Sequence, residues 1–224
     1  GAFRGFGGPQ GTFAAESQVN KLAEKLNFDP VEMRKINLIH DGTIGQFNSV
    51  YPEGVTIEQV VDECAKRSDW PNLNKSSNKN MREGYGFACA LKNIGFSFGF
   101  PEECWAKVEI HGGSKIEHVI LHHAGADCGQ GAHTAFLQMV AEACGVSVDM
   151  VSLSGSDSAL TKNSGSASAS RLTFMAGNSI RGAVDLALKN WSSEERPAIG
   201  EFRFVPRTTT ALDPQTGECD PNIT

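Results

Sequence analysis

Three segments of the sequence share one design, small residues running directly into a helical pattern: RGFGGPQGT at 4–12, GADCGQGAHT at 125–134 and NSGSASASR at 163–171. Glycine lets backbone N–H groups approach a bound molecule closely, and a helix N-terminus adds unpaired donors with a partial positive charge. Together they favour an anion, above all phosphate. Arg4 adds a rigid fork of donors suited to phosphate or other planar oxygens. Gln130 sets a neutral donor and acceptor between Gly129 and Gly131, and Ser164, Ser166, Ser168 and Ser170 add hydroxyls. Each segment also has a plainer reading, as a tight turn or as a small-residue stretch that lets the next helix pack closely. The first is not a Walker loop, because no Gly-Lys-Ser/Thr follows, and the GxGxxG spacing of a dinucleotide fold fails with no clear strand ahead of it.

Other reactive types are scattered. His122 and His123 end a strand-like run and point to opposite faces, so they do not easily share a metal, and His133 lies in a glycine loop. These three read as core or surface histidines, and no metal site is expected. Asp127 and Glu142 are isolated carboxylates that read as solvated or capping groups. Six cysteines are spread widely without a CxxC, as expected of free thiols in a reducing cytoplasm. The net charge of −6, without a dense Lys/Arg block, argues against nucleic acid and anionic membrane as partners. No apolar run is long enough to span a bilayer and no leader pattern opens the chain. It starts at Gly1 without Met, which suggests a segment of a longer polypeptide.

The elements that must position these loops follow from periodicity. TFAAESQVNKLAEKLN (12–27) has apolar residues at helical spacing, with Thr12 as cap and Glu16 near the start of the helix dipole. DPVEMRKINLI (29–39) predicts a helix with Asp29 as N-cap and Pro30 as first residue, and TIEQVVDECAKRS (56–68) a third capped by Thr56. The polar stretch 69–80 marks a boundary, giving domains 1–80 and 81–224. Next, GYGFACALKNIGFSFGF, CWAKVEIHG and KIEHVILHHAG read as three consecutive antiparallel strands, the last two joined by a turn at 112–115. A loop-to-helix segment (129–146), a short strand, a second loop feeding a long helix (164–191) and a final strand complete the order. Such an order predicts an α+β chain in two layers, a mainly antiparallel or mixed sheet with packed helices.

Taken together, the three loops resemble the molybdenum-binding subunit of the xanthine dehydrogenase/aldehyde oxidase family. GAFRGFGGPQG matches that family's cofactor motif almost letter for letter. GQGAHT looks like the family's second-domain loop with its central Gln, and GSASASR is similar to its Ser/Ala-rich cofactor segment. DPVEMRKINL and LDPQTGECDPN look like family connectors, so the resemblance covers essentially the whole chain. It implies that residues 1–80 end a first molybdopterin-binding subdomain and its connector, and that 81–224 form part of the second.

The resemblance further implies molybdenum carried on molybdopterin, in bacteria often as the cytosine dinucleotide. In that family the cofactor hydroxylates an aldehyde or an aromatic N-heterocycle with oxygen from water. Electrons leave through iron–sulfur clusters, commonly towards flavin (FAD). Phe3 and Arg4 would lie at the pterin end. Gly129, Gln130 and Gly131, with Gly165, Ser166, Ala167, Ser168 and Ser170, would take the pyrophosphate or nucleotide portion. Phe6 matches a position that stacks on substrate in purine-oxidising members, with Phe100 opposing it. Two rings suit a flat substrate, although either is equally a core residue type. The family's FGGK-like segment and the general-base Glu of its GEP segment have no match in residues 1–224, and no iron–sulfur or flavin pattern occurs there. The expectation is therefore an internal fragment without a catalytic base, inactive alone for want of the ~10²–10⁴-fold such a base contributes. Its partners would be further molybdenum-subunit segments and iron–sulfur and flavin domains or subunits, with self-association through uncovered surface. The alternative is a non-catalytic binding or assembly module that retains the fold.

Overall fold

The computed structural model describes residues 5–45, 48, 50–71, 80–92, 95, 96, 98–155 and 157–219. The chain divides into two units, Gly1–Lys92 with Asp213–Pro221 and Asn93–Leu212 with Asn222–Thr224.

In the first unit, α1 (Gly8–Leu26) starts ahead of the expected Thr12, with Gly7 as a left-handed N-cap and Pro9 in its first turn. Proline's fixed φ suits a first turn and its missing N–H leaves no donor stranded there. Gly8 and Gly11 therefore lie inside the helix, and Thr12 is not its cap. Glu16 consequently falls mid-helix, away from the dipole's positive end. Its Oε2 accepts Arg34 Nε at 2.6 Å and the Cys89 N–H at 2.9 Å, while Arg34 also donates to the Pro30 carbonyl and Asn20 Oδ1. α2 (Pro30–Lys35) starts where expected. Asp29 Oδ1 accepts the N–H groups of Val31 at 2.7 Å and Glu32 at 3.1 Å. α3 (Ile57–Arg67) has Thr56 at its N-cap, but the hydroxyl makes no capping bond. A small core of Val31, Val61 and Phe87 joins α2 and α3 to the segment around Phe87, and the Glu16–Arg34 pair ties α1 to α2.

The run 84–100, expected as a strand, forms none among its described residues. Its alternation marks burial, since Phe87 and Cys89 pack with Val31 and Val61. The Cys89 N–H goes to the Glu16 carboxylate instead of a neighbouring strand. Gly95, Phe98 and Gly99 have positive φ, which breaks an extended ladder.

The second unit is two layers. β1 (Cys104–Gly112) and β2 (Ile116–His122) make the expected hairpin, β4 (Ala198–Phe204) flanks β1 antiparallel, and β3 (Val151–Ser154) flanks β2 in parallel, in the order β3-β2-β1-β4. The mixed sheet is thus mainly antiparallel. Alternate residues Cys104, Ala106, Val108 and Ile110 of β1 and Val119 and Leu121 of β2 face one side. There they meet α4 (Ala132–Cys144) through Phe136 and Val140, and α5 (Leu172–Ser192) through Met175, Ile180, Ala183, Val184 and Ala187. Close approach of the layers depends on glycine. A Cβ on Gly200 would run into the α5 backbone at Ala183 and Ala187, and one on Gly182 into the Phe202 ring. All six cysteines are free thiols. No helix among the described residues is long and apolar enough to cross a membrane.

Candidate cofactor-binding loops

Strands β2 and β3 are parallel neighbours, and two of the three small-residue segments follow their carboxyl ends. The topology therefore brings these segments to one end of the sheet, where open sheets with parallel strands bind ligands. A buried hydroxyl joins them: Ser164 Oγ accepts the Ala124 N–H at 3.2 Å and donates to the Trp105 carbonyl at 2.9 Å.

The loop after β2 is built around His123, which is buried. Its Nδ1 accepts the Gly125 N–H at 2.9 Å, so Nε2 carries the proton and faces Cys104 Sγ at 3.4 Å. Burial, reinforced by the charges of His133 and Arg171, pushes the His123 pKa down to about 4. A Cβ on Gly125 would lie 2.8 Å from the His123 ring and 3.0 Å from Phe136, so only glycine fits there. His133 donates from Nε2 to the Gly125 carbonyl at 3.0 Å. Gln130 sits exposed between Gly129 (φ 105) and Gly131 (φ 81). Its Oε1 accepts the N–H and thiol of Cys128 at 2.7 and 3.1 Å, and its Nε2 donates to the Ala126 carbonyl at 3.1 Å.

The loop after β3 is held from beneath by Arg171, whose side chain is 1% exposed. Its Nε donates to Glu102 Oε1 at 2.6 Å, and its terminal nitrogens donate to the carbonyls of Glu103, Ser166 and Ser164 at 2.8, 2.9 and 3.3 Å. A Cβ on Gly165 would overlap the guanidinium. With two loop carbonyls engaged by Arg171, the Ser166 and Ser168 hydroxyls lie 3.0 Å apart, and Ser166 and Ser170 are exposed. Ala169 (φ 52) and Ser170 (φ 55) are consecutive left-handed residues, a strained arrangement for side chains with a Cβ. The Gly95 N–H bonds the Ala169 carbonyl at 2.9 Å and helps to hold it. α5 begins here with no side-chain cap and no acidic residue in its first turn. Uncapped N–H groups beside exposed hydroxyls fit an anionic group.

The profile of the molybdopterin cofactor-binding domain matches residues 63–196, and a second profile of that description matches residues 1–38. The chain belongs to the molybdopterin cofactor-binding domain family. Its relatives include the xanthine dehydrogenase/oxidase of Gallus gallus, 32% identical over 194 residues that cover 84% of this chain and 14% of that protein. The aldehyde oxidoreductase of Megalodesulfovibrio gigas is 30% identical over 208 residues, covering 91% of this chain and 22% of that protein. The solved aldehyde oxidoreductase from Desulfovibrio gigas matches at a TM-score of 0.80 and 26% identity, over 99% of this chain and 26% of that one. The chain thus spans 14% to 26% of the length of these relatives.

Within this molybdopterin-binding domain, Gly129, Gln130 and Gly131 and Gly165, Ser166, Ala167, Ser168 and Ser170 lie on the two loops joined through Ser164. Ala167 packs against the core beneath them. Phe3 and Arg4 lie outside the described residues. Phe6, in the first unit, has an exposed ring and a left-handed backbone at φ 51. Phe100, in the second unit, is also exposed, with its ring 5.0 Å from that of Phe96. It lines a cleft of about 440 Å³ with Glu103, Asn163 and Arg203. His122 is buried with Nε2 3.0 Å from Glu109 Oε1, and no three His, Cys, Asp or Glu among the described residues are grouped to hold a metal. Sequence reasoning missed the supports: His123, Arg171 and the bridging role of Ser164. One signal for Arg171 was available, since it is the lone charge in SGSASASR and its five donors suit a run of carbonyls.

Proposed function

We propose that this domain forms part of the cradle for a molybdopterin cofactor in a molybdenum hydroxylase, with the loop 163–171 at a phosphate of the cofactor and Gln130 beside it. The observation that carries this reading is the convergence of two family loops at the ends of adjacent parallel strands, bridged by Ser164, ahead of the uncapped α5. Ser166, Ser168 and Ser170 would present hydroxyls to phosphate oxygens beside the first-turn N–H groups of α5, with Gly165 and Ala167 shaping the loop and Arg171 fixing it from below. Gly129, Gln130 and Gly131 would contact the adjoining nucleotide portion, and Phe3 and Arg4 the pterin. Phe6 and Phe100 are assigned to a flat substrate.

When bound, the cofactor supplies transfer of a water-derived oxygen to the carbon of an aldehyde or an aromatic N-heterocycle. This chain's residues hold and orient the cofactor, and we assign none of them the role of general base. Residues 1–80 are assigned to the end of a first subdomain and 81–224 to a second. Iron–sulfur and flavin components, in a cytoplasmic assembly, would carry the electrons away. Gln130→Ala and Arg4→Ala in the full-length protein should each lower molybdenum content and turnover together. Unchanged content and turnover in both variants would refute the assignment.

A further inference from the structure

The glycine loop ahead of α4 already holds a negative charge of its own. Asp127 Oδ1 accepts the N–H groups of Gly129 at 2.8 Å and Gly131 at 3.3 Å, and Oδ2 accepts that of His133 at 3.2 Å. α4 has a glycine N-cap, no side-chain cap at that position and no acidic residue in its first turn. Asp127, four residues before that N-cap, thus supplies the charge that a helix N-terminus attracts. The hydrogen bonds from Gly129 and His133 hold its carboxyl below the ordinary carboxylate value, so it is ionised at neutral pH. A phosphate seeking the same three donors would have to displace a carboxylate or sit against a like charge. The Gln130 side chain, meanwhile, is drawn back over the same turn by Cys128 and Ala126. Among its side chains the loop still offers a ligand the remaining Nε2 hydrogen of Gln130, a neutral donor.

We propose that Asp127 is a positioning residue for Gln130. Its carboxylate stands where an anionic ligand stands in a phosphate-binding loop, fixes residues 127–133 in one conformation, and so directs the Gln130 amide to an uncharged polar part of the cofactor. Phosphate is left to the hydroxyl loop at the start of α5. This rests on the reading that Gln130 meets the cofactor, and it assigns to Asp127 a role that the glycines and Gln130 alone do not supply.

The test uses the full-length protein and two readouts, molybdenum content after purification and hydrogen exchange of the 127–133 amides. In Asp127→Ala the Gly129, Gly131 and His133 amides should lose protection. Molybdenum content should fall on the order of tenfold, as when other orienting partners of a ligand are removed. Asp127→Asn, which keeps one acceptor oxygen and guards against general misfolding, should fall less. Formate added to Asp127→Ala should restore both protection and molybdenum content, because a small carboxylate can enter the emptied nest. The same formate should do nothing for Gln130→Ala. Unchanged exchange in Asp127→Ala, or full molybdenum content there while Gln130→Ala is depleted, overturns this inference alone. Full content in Gln130→Ala overturns the reading on which it rests.

Discussion

A buried imidazole that stays neutral makes the loop after β2 sensitive to acid. The His123 pKa of about 4 lies below the ordinary 6.5. Between those values the unfolded chain binds the extra proton and the folded chain does not, so stability falls as pH drops through that window. The loss begins near 6.5, is complete near 4, and amounts to roughly 3 kcal/mol. Thermal melts from pH 7.5 to 4.5 should therefore show a steeper loss of Tm in the wild type than in His123→Asn, which has no titrating ring. Equal slopes would show that His123 is not the group responsible. Gln130 and the serines of 163–171 stand out in the sequence as candidates because their types and spacing are local. His123, Ser164 and Arg171 were not, because their partners are remote. Arg171 bonds Glu102 across 69 positions and Ser164 bonds Trp105 across 59.

At the scale of elements, local rules worked where the deciding contact is local. Asp29 and Pro30 start α2 as the sequence says, and the alternation of CWAKVEIHG and KIEHVILHHAG gives the β1–β2 hairpin. Thr12 misled because Pro9 and two glycines carried the helix back a full turn. The run 84–100 misled because alternation reports which side is buried, and a carboxylate of α1 took the N–H that a neighbouring strand would have needed. The parallel placement of β3 beside β2, which puts both loops at one end, has no local signature at all. Packing of α5 on β1 and β4 depends on two missing side chains. Gly200→Ala and Gly182→Ala should each destabilise the second unit by about 1–3 kcal/mol through overpacking. Gly113→Ala, whose added Cβ meets nothing within 4 Å, should leave the denaturation midpoint nearly unchanged. A midpoint for Gly200→Ala equal to that of the wild type would contradict the close approach of β4 to α5.

For the molecule as a whole, the two units differ in how much apolar surface they bury. Among the described residues, the core of the second unit extends across β1, β2, β4, α4 and α5, whereas that of the first rests on Val31, Val61 and Phe87. Amides of α1 and α3 should therefore exchange with solvent faster than those of β1, β2 and α5. Comparable protection in both sets would contradict this ranking. Phe13, Leu22 and Leu26 of α1 are 75%, 50% and 61% exposed, an apolar surface of the kind that associates. The isolated chain should show a sedimentation coefficient that rises with concentration, and a constant monomeric value would argue against it. The role proposed for residues 1–224 is to help hold a molybdopterin cofactor. Its most direct test is to purify the full-length protein, denature it, and quantify the released molybdenum and the fluorescent oxidised pterin against protein. The two should be found in equal amounts, with both depleted when Gln130, Ser166 and Ser168 are replaced together by alanine. A protein equally loaded with and without those three side chains would contradict it.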